Sequence, residues 1–312
     1  MSNKIKVFLT GGSGMVGKNI LENKNSKKYE IISPNRNELD LLNYSKVSKF
    51  LKITKPDIIV HAAGHVGGIQ ANMKNPYEFL SKNLDISKNI IVAAYENEVK
   101  NFLNLGSTCM YPKDTKGYLS EDQILKGKLE PTNEGYALAK IVSYKLCNYI
   151  NEINSQYTYK TMIPCNLYGK YDKFSEKNSH LIPAIINKMH IAKINKINEV
   201  EMWGDGLARR EFMYAGDLAD AIFYGLKRFH NIPNVLNIGL GYDYKIIDYY
   251  KQVAKVINWK GKIIKNLDKP IGMKKKCANI KLQKKWGWVA KTNLVAGIKL
   301  TYKYYLSQNK NN

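Results

Sequence analysis

The glycine-rich turn near the amino terminus constrains the fold of this chain more than any other feature. The run "IKVFLT" predicts a short apolar strand, and "GGSGMVGKNILEN" leads from it into a predicted helix. Gly11, Gly14 and Gly17 are spaced G-x-x-G-x-x-G across that junction. Glycines there permit a tight turn and bring backbone N–H groups close to a pyrophosphate at the helix amino terminus. The turn therefore predicts a dinucleotide-binding α/β fold, with Met15 and Val16 also beside the cofactor.

Apolar segments alternate with helix-length segments along the rest of the chain. Further predicted strands are "YEIIS", "DIIVHAAG", "FLNLGS", "KTMIPCNLYG" and "VLNIG". This alternation predicts a Rossmann-type, doubly wound parallel sheet with helices on both faces. We expect residues 1–168 to form an NADP-binding domain, joined in its sheet by a strand near 235–239. We expect residues 169–312 to form a smaller α/β lobe that binds the substrate.

The chain is strongly basic, but its cations are almost all lysines. Lys and Arg number 49 against 26 Asp and Glu, a formal net charge of +23. The arginines are Arg36, Arg209, Arg210 and Arg228. A nucleic-acid surface favours arginine for its bidentate hydrogen bonds and stacking, with aromatic residues interleaved in a basic cluster. We therefore expect no nucleic-acid partner, and each arginine is a candidate for a position where lysine does not suffice.

The sequence indicates neither a membrane span nor a metal site. No stretch approaches the roughly 18 uninterrupted apolar residues that a span requires, and the first apolar run is too short for a signal peptide core. The cysteines show no C-x-x-C spacing and no accompanying histidine pattern. They are Cys109, Cys147, Cys165 and Cys277. We expect a cytoplasmic protein with reduced thiols and no metal.

The residues after the second predicted strand bear on the choice between NAD and NADP. An NAD enzyme normally ends this strand with Asp or Glu, which binds the ribose 2′-hydroxyl. Here the strand ends in "SPNRNE", so Arg36 stands where a 2′-phosphate could be bound, and the acid Glu38 comes two residues later. In a chain with so few arginines this arrangement favours NADP over NAD.

A tyrosine, a lysine and a serine form a candidate reduction site. The run "GYALAK" places Tyr136 and Lys140 four residues apart, on one face of a helix. An ammonium close to a phenol favours the phenolate, so we expect a lowered Tyr136 pKa and proton transfer near neutral pH. Ser107 follows the fourth strand, at the edge where such sheets bind ligands. Cys109 lies two residues further and faces the same way if the backbone stays extended.

Eight segments together carry a resemblance to a known family. They are "TGGSGMVG", "NRNELDLL", "HVGGIQAN", "LGSTCMYP", "LEPTNEGYALAKI", "PCNLYG", "NSHLIPA" and "RREF". On these segments the chain resembles the extended short-chain dehydrogenase/reductases and, within them, the GDP-L-fucose synthases, which are GDP-4-keto-6-deoxymannose epimerase-reductases. The similarity extends over nearly the whole chain.

The resemblance implies a two-stage reaction with NADP(H) as cofactor. A GDP-linked 4-keto-6-deoxy sugar is first epimerised at C3 and C5, and NADPH then reduces C4. The ketone acidifies the hydrogens on both neighbouring carbons, so a base on one face and an acid on the other can invert each centre. In the family these roles belong to a Cys and a His that match Cys109 and His180. The resemblance also implies a homodimer through helices of the cofactor domain, including the Tyr136 helix.

The resemblance assigns further residues to the site. Arg210 in "RREF" matches an arginine that binds the substrate phosphate, and Trp203 in "MWGDG" matches an aromatic residue on the substrate side. The residues expected to bind the substrate are Ser107, Thr108, Cys109, Asn166, Lys188, Trp203, Arg210 and Lys276. Besides Arg36 and the glycine turn, those expected at the cofactor are Asp40, Leu41, Ala62, Ala63, Leu105, Gly106, Tyr136, Lys140, Pro164, Asn166, Leu167 and His180.

Three departures from the family pattern border the predicted sugar pocket. Lys188 replaces an arginine and can neutralise a phosphate without binding it in a bidentate way. His65 replaces a lysine before "VGG", and Ile271 in "KPIGM" replaces an acidic residue. The identity of the sugar therefore stays open, and a seven-carbon or otherwise modified GDP-4-keto sugar is an alternative.

Two other functions also stay open. A reductase that acts at C4 alone could carry the same residues while it holds the sugar in another pose. A nucleotide-binding regulatory protein without turnover is the second alternative, although intact Ser107, Tyr136 and Lys140 oppose it.

Overall fold

A computed structural model describes residues 4–175, 179–269 and 273–308 of the chain. The strands are β1 (Lys6–Thr10), β2 (Glu30–Ile32), β3 (Ile58–His61), β4 (Asn101–Leu105), β5 (Thr158–Pro164), β6 (Asn166–Tyr168), β7 (Glu199–Trp203), β8 (Arg209–Arg210), β9 (Phe212–Tyr214), β10 (Val235–Ile238), β11 (Tyr244–Lys245), β12 (Lys262–Asn266) and β13 (Lys275–Lys276). The α-helices are α1 (Met15–Glu22), α2 (Tyr44–Thr54), α3 (Ile69–Lys74), α4 (Pro76–Glu96), α5 (Glu134–Ile153), α6 (Leu181–Ile194), α7 (Ala215–Leu226), α8 (Ile246–Ile257), α9 (Lys281–Trp286) and α10 (Leu294–Gln308).

A parallel sheet of six strands forms the centre of the fold. The strands are hydrogen-bonded in the order β2-β1-β3-β4-β5-β10, and each neighbouring pair is parallel. The strand order reverses between β1 and β3, and the crevice outside the carboxyl ends at such a point is where ligands bind. The prediction of a Rossmann-type parallel sheet is therefore confirmed.

Helices cover both faces of this sheet because its strands are apolar on both sides. Val7 and Leu9 of β1 share one core with Leu218 of α7. Phe8 points to the opposite face and packs in a second core with Val47 of α2 and other residues of α4 and α5. Burial on both faces is the expected state of a parallel strand.

The later part of the chain contributes to the same sheet. β10 pairs in parallel with β5, at the position expected for a strand near 235–239. Helix α7, which precedes it, shares the core of β1. Residues from α7 to β10 thus belong with the sheet, although they follow the predicted boundary at residue 168.

Helices α6, α8 and α10 pack together in a separate core. Its fully buried members include Ile186, Val253 and Ile298, and the paired strands β7 and β12 lie beside it. This lobe carries Lys188 and Trp203, which the sequence analysis predicts on the substrate side. In the described segments, we find no helix with the combined length and apolarity that crossing a membrane requires.

Candidate functional site

A cavity of about 570 Å³ opens at the carboxyl ends of the central strands. Its wall includes the glycine turn after β1, the segments after β3, β4 and β5, one face of α5, and residues from β8 and β13. The predicted residues that line it are Gly11, Gly14, Met15, Val16, Gly17, Arg36, Asp40, Leu41, Ala62, Ala63, Leu105, Gly106, Ser107, Thr108, Cys109, Tyr136, Lys140, Pro164, Asn166, Leu167, His180, Arg210 and Lys276.

The glycine turn packs against the end of β3 without room for side chains. Gly11 has a φ of +75°, and a Cβ there would lie 2.7 Å from the backbone nitrogen of Ala63. A Cβ on Gly17 would lie 2.2 Å from the carbonyl oxygen of Gly11. The start of α1 is therefore held close to the turn, so that its free N–H groups border the cavity. This geometry fits the pyrophosphate of a dinucleotide.

Arg36 lies at the end of the cavity that adjoins β2. Its side chain is 74% exposed, and its Nε lies 3.9 Å from Asp40 Oδ1. Glu38 is used within the loop, where its carboxylate accepts a hydrogen bond from the Asn35 backbone N–H at 2.7 Å. The guanidinium is thus accessible to a 2′-phosphate. The Glu38 carboxylate, which would have been evidence for NAD, instead binds the backbone of its own turn.

Tyr136 and Lys140 face the cavity, but their electrostatics differ from the expectation. Burial raises the pKa of the Tyr136 phenol, and the nearby Cys109 raises it further. The expected lowering of the Tyr136 pKa is therefore wrong for this structure. The physical reason is that desolvation disfavours the charged phenolate. The Lys140 ammonium donates to the Leu105 carbonyl oxygen at 2.8 Å, and burial lowers its pKa to about 8.

The strand that leads to Ser107 ends in a turn, contrary to the extended backbone assumed above. Residues Thr108–Met110 form a 3₁₀ turn, and the Cys109 N–H donates to Ser107 Oγ at 3.2 Å. Ser107 and Cys109 nevertheless both line the cavity. Tyr111 is turned into the core instead, where its hydroxyl donates to Asn237 Oδ1 at 2.7 Å. That tyrosine supports the fold beneath the site.

Two donors surround the Cys109 sulfur. Asn133 Nδ2 lies 3.3 Å from the Cys109 Sγ, and the Lys276 ammonium lies 3.5 Å from it. Lys276 was expected at the substrate, and its side chain is almost fully buried beside the sulfur. The contact gives Cys109 a positive neighbour at the cavity wall.

His180 precedes α6 and lines the same cavity. The residue as a whole is exposed, while neighbouring protein atoms partly desolvate its ring. This desolvation lowers the His180 pKa, and the positive charge of Lys173 acts in the same direction. The neutral form of the imidazole is therefore favoured, and this form can accept a proton.

Arg210 projects into the cavity from β8, with acidic Glu130 nearby. Its guanidinium donates through Nη1 to the carbonyl oxygen of Arg209 at 2.8 Å. Burial lowers the pKa of Arg210, and the charge of Glu130 opposes that shift. Asn166 Nδ2 donates to the Glu211 carbonyl oxygen at 2.9 Å. This hydrogen bond links β6 to the segment that follows Arg210.

Comparison with known proteins identifies the family of this chain. A model of the NAD dependent epimerase/dehydratase family matches residues 7–239. The chain belongs to this family. The GDP-L-colitose synthase of Yersinia pseudotuberculosis is 53% identical over 98% of this chain and all of its own length. The GDP-L-fucose synthase of Azorhizobium caulinodans (strain ORS 571) is 44% identical over 98% of this chain and 97% of its own.

A solved structure extends the comparison. The GDP-mannoheptose C4 reductase from Campylobacter jejuni with NADP bound has a TM-score of 0.88 and 28% identity, covering 98% of this chain and 99% of its own. The predicted resemblance to the extended short-chain dehydrogenase/reductases and the GDP-L-fucose synthases is confirmed. Within the family, the sugar varies among these proteins.

Two predicted substrate residues lie outside the cavity. Trp203, on β7, is 36% exposed, and the Lys188 ammonium lies 5.9 Å from the centre of its ring. Lys269 approaches the same ring at 5.7 Å. The structure thus groups Trp203 with two cations on the lobe surface, apart from Ser107 and Tyr136. Ile271, the third departure from the family pattern, lies outside the described residues.

Glu130 and Asn133 are among the cavity-wall residues that sequence reasoning did not assign to the site. Both stand in the quoted run "LEPTNEGYALAKI", directly before the helix that carries Tyr136. Their place next to a helix start was the available signal, but it did not reveal that Glu130 would lie near Arg210 or that Asn133 would contact Cys109.

Proposed function

We propose that this protein is an NADPH-dependent reductase of a GDP-linked 4-keto-6-deoxy sugar that also epimerises C3 and C5. One observation carries the proposal: a reduction set and an epimerisation set border the same cavity. Ser107, Tyr136 and Lys140 form the first set, and Cys109 and His180 form the second. The GDP-sugar synthases among the relatives support this substrate class.

The cofactor would occupy the side of the cavity near β1 and β2. The glycine turn and the start of α1 bind the pyrophosphate, and Arg36 binds the 2′-phosphate. Ala62 and Ala63 border the space between them, while Lys140 and Asn166 lie towards the nicotinamide end. The NADP bound to the Campylobacter jejuni relative supports NADP(H) here.

Reduction requires a hydride and a proton at the C4 carbonyl. NADPH, when bound, supplies the hydride. Tyr136 remains protonated at neutral pH because burial raises its pKa, so its phenol can give the proton to the C4 oxygen. Ser107 donates a hydrogen bond to that oxygen, and the Lys140 charge stabilises the phenolate that is left.

Epimerisation uses Cys109 and His180 on opposite faces of the sugar. At each centre one group takes the proton from carbon, and the electron pair passes into the enolate of the C4 ketone. The other group then returns a proton to the opposite face. Arg210, which lines the cavity, would hold a GDP phosphate while this occurs.

The test is a reaction with GDP-4-keto-6-deoxymannose and NADPH in heavy water, with deuterium located in the product by NMR. We expect label at both C3 and C5. Reduced product without ring label would replace the proposal with a reductase that acts at C4 alone. Absence of NADPH oxidation with this sugar would direct the assay to GDP-4-keto-heptoses.

The C4 reductase on a related GDP-sugar is the second candidate. His65 in place of lysine favours it, since His65 lines the cavity expected to hold the sugar. The C4 reductase from Campylobacter jejuni also has the same fold over nearly its full length. The heavy-water reaction distinguishes the two candidates directly.

We also propose a homodimer formed through α5. This helix presents an exposed apolar series at Leu138, Val142, Tyr149 and Ile153, and covering such a series on a partner removes apolar surface from water. Light scattering on the purified protein tests the proposal, and replacement of Val142 and Tyr149 by Asp should yield monomers. A native monomer at micromolar concentration would contradict it.

The domain division and location are proposals too. We assign residues 1–168 with β10 to cofactor binding and residues 169–312 otherwise to the substrate lobe. We place the protein in the cytoplasm, free of nucleic acid and membrane partners. Fractionation of cells that express it, followed by immunodetection, tests that location.

A further inference from the structure

Asn133 occupies the N-cap position of α5 without capping it. An Asn at this position normally accepts a hydrogen bond from a backbone N–H of the first helical turn. The Asn133 side chain makes no such bond. Asn43 at the start of α2 shows the ordinary arrangement, since its Oδ1 accepts from the Lys46 N–H at 3.0 Å. The side chain of Asn133 is therefore directed elsewhere.

The Asn133 amide points to the sulfur of Cys109 instead. Its Nδ2 donates to Cys109 Sγ at 3.3 Å. Its Oδ1 is buried and has no hydrogen-bond partner within the described segments. A buried acceptor without a partner is destabilising. The conformation of Asn133 thus leaves α5 without a side-chain cap and the amide oxygen without a partner, while it supplies a donor to the sulfur.

Lys276 supplies a second donor to the same atom. Its ammonium lies 3.5 Å from Cys109 Sγ, although 167 residues separate the two in sequence. A sulfur atom that faces two N–H donors is positioned to accept hydrogen bonds from both. The thiolate is the form of cysteine that takes up a proton, and charged acceptors gain most from such donors.

We propose that Asn133 is a positioning residue that holds the Cys109 sulfur as a hydrogen-bond acceptor, directed at a carbon next to the substrate ketone. The inference rests on the proposed role of Cys109 in epimerisation. In that step the C–H bond breaks, an S–H bond forms, and the electron pair passes into the enolate.

The first experiment compares Asn133→Ala with the matched N-cap variant Asn43→Ala. Exchange of the sugar ring hydrogens with heavy water is followed by NMR, and thermal unfolding is recorded for both variants. For Asn133→Ala we expect exchange to slow about tenfold with an unchanged unfolding midpoint. For Asn43→Ala we expect normal exchange and a midpoint lower by roughly 2 °C, because a real cap is lost.

A second readout does not depend on turnover. Cys109 is partly exposed, whereas Cys147, Cys165 and Cys277 are buried. Its alkylation by iodoacetamide at pH 7.5 (roughly one pH unit below the usual thiol pKa) is followed by mass spectrometry. We expect Asn133→Ala to slow it about fivefold, and Asn133→Asp to slow it further while raising the unfolding midpoint through a restored cap.

The outcomes separate this inference from the proposed function. Wild-type protein that reduces the sugar without ring exchange would refute the epimerase role, while alkylation would still test the contact between Asn133 and Cys109. Exchange and alkylation at wild-type rates in Asn133→Ala would overturn the inference. A midpoint that falls as in Asn43→Ala, with exchange unchanged, would make Asn133 a structural residue only.

Discussion

The Lys140 ammonium donates to the Leu105 carbonyl oxygen at 2.8 Å and lies 5.8 Å from the centre of the Tyr136 ring. The lysine is thereby anchored to the end of β4, next to the cavity floor. Burial keeps the phenol protonated, and the anchored charge is available when the proton leaves. This arrangement supports the proposed role of Tyr136 as an acid in the reduction.

Replacement of Tyr136 by Phe should abolish reduction and spare cofactor binding. The variant removes the proton donor, so we expect NADPH oxidation to fall at least ~100-fold. Cofactor affinity, measured by NADPH fluorescence titration, should stay within about twofold. Tyr144→Phe on the same helix, outside the cavity, is the matched control. Near-normal turnover by the Tyr136 variant would remove it from the mechanism.

Replacement of Arg36 by Ala should weaken NADPH binding without affecting NADH. The guanidinium is proposed to bind the 2′-phosphate, and a charge-assisted contact of this kind contributes ~1.5–3 kcal/mol. We expect KM for NADPH to rise roughly 10- to 100-fold, with kcat little changed. Arg228→Ala serves as control, since Arg228 contacts Tyr224 on the exposed surface. Equal loss with both cofactors would contradict the assignment.

Replacement of Cys109 by Ser should block ring-hydrogen exchange more than reduction. A hydroxyl is a far weaker base than a thiolate, so we expect exchange at C3 and C5 to fall ~100-fold or more. The measurement is deuterium incorporation from heavy water. Cys147→Ala, which changes a thiol buried behind the sheet, should retain exchange. A Cys109 variant that labels both carbons at the normal rate would exclude this thiol.

The stability of the protein should fall as the pH rises through neutrality because of Asp172. Burial raises the pKa of its carboxyl to about 7, from an ordinary 3.8. The folded state therefore holds a proton that the unfolded state has lost between those values, and this stabilisation disappears above pH 7. Asp172→Asn should be more stable than wild type at pH 8, by at most ~4 kcal/mol.

Thermal unfolding of wild type and Asp172→Asn between pH 4 and pH 8 measures this difference. The two midpoints should be similar near pH 4, where the wild-type carboxyl is protonated in the folded state. They should separate as the pH rises. A constant difference across the range would show that Asp172 is already ionised in the fold. Asp85→Asn, on the exposed side of α4, should leave the pH profile unchanged.

Local spacing was enough to predict the frame of the site. The strand, glycine turn and helix at the amino terminus are set by residues within about fifteen positions of one another, and Tyr136 and Lys140 share a face because a helix repeats every 3.6 residues. The parallel sheet followed from the alternation of apolar segments. Such periodic signals depend on neighbours in sequence, so they can be read without the structure.

Packing between distant segments decided the rest. Burial reversed the expected pKa shift of Tyr136, and a turn after β4 sent Tyr111 into the core while Ser107 and Cys109 stayed at the cavity. Cys109 acquired donors from positions 24 and 167 residues away. Desolvation and hydrogen-bond partners depend on which surfaces meet in three dimensions, and sequence separation alone does not specify that. The sequence predicted the reactive groups that line the cavity. The tertiary structure decided their protonation and their partners, and it placed Lys188 and Trp203 outside the cavity.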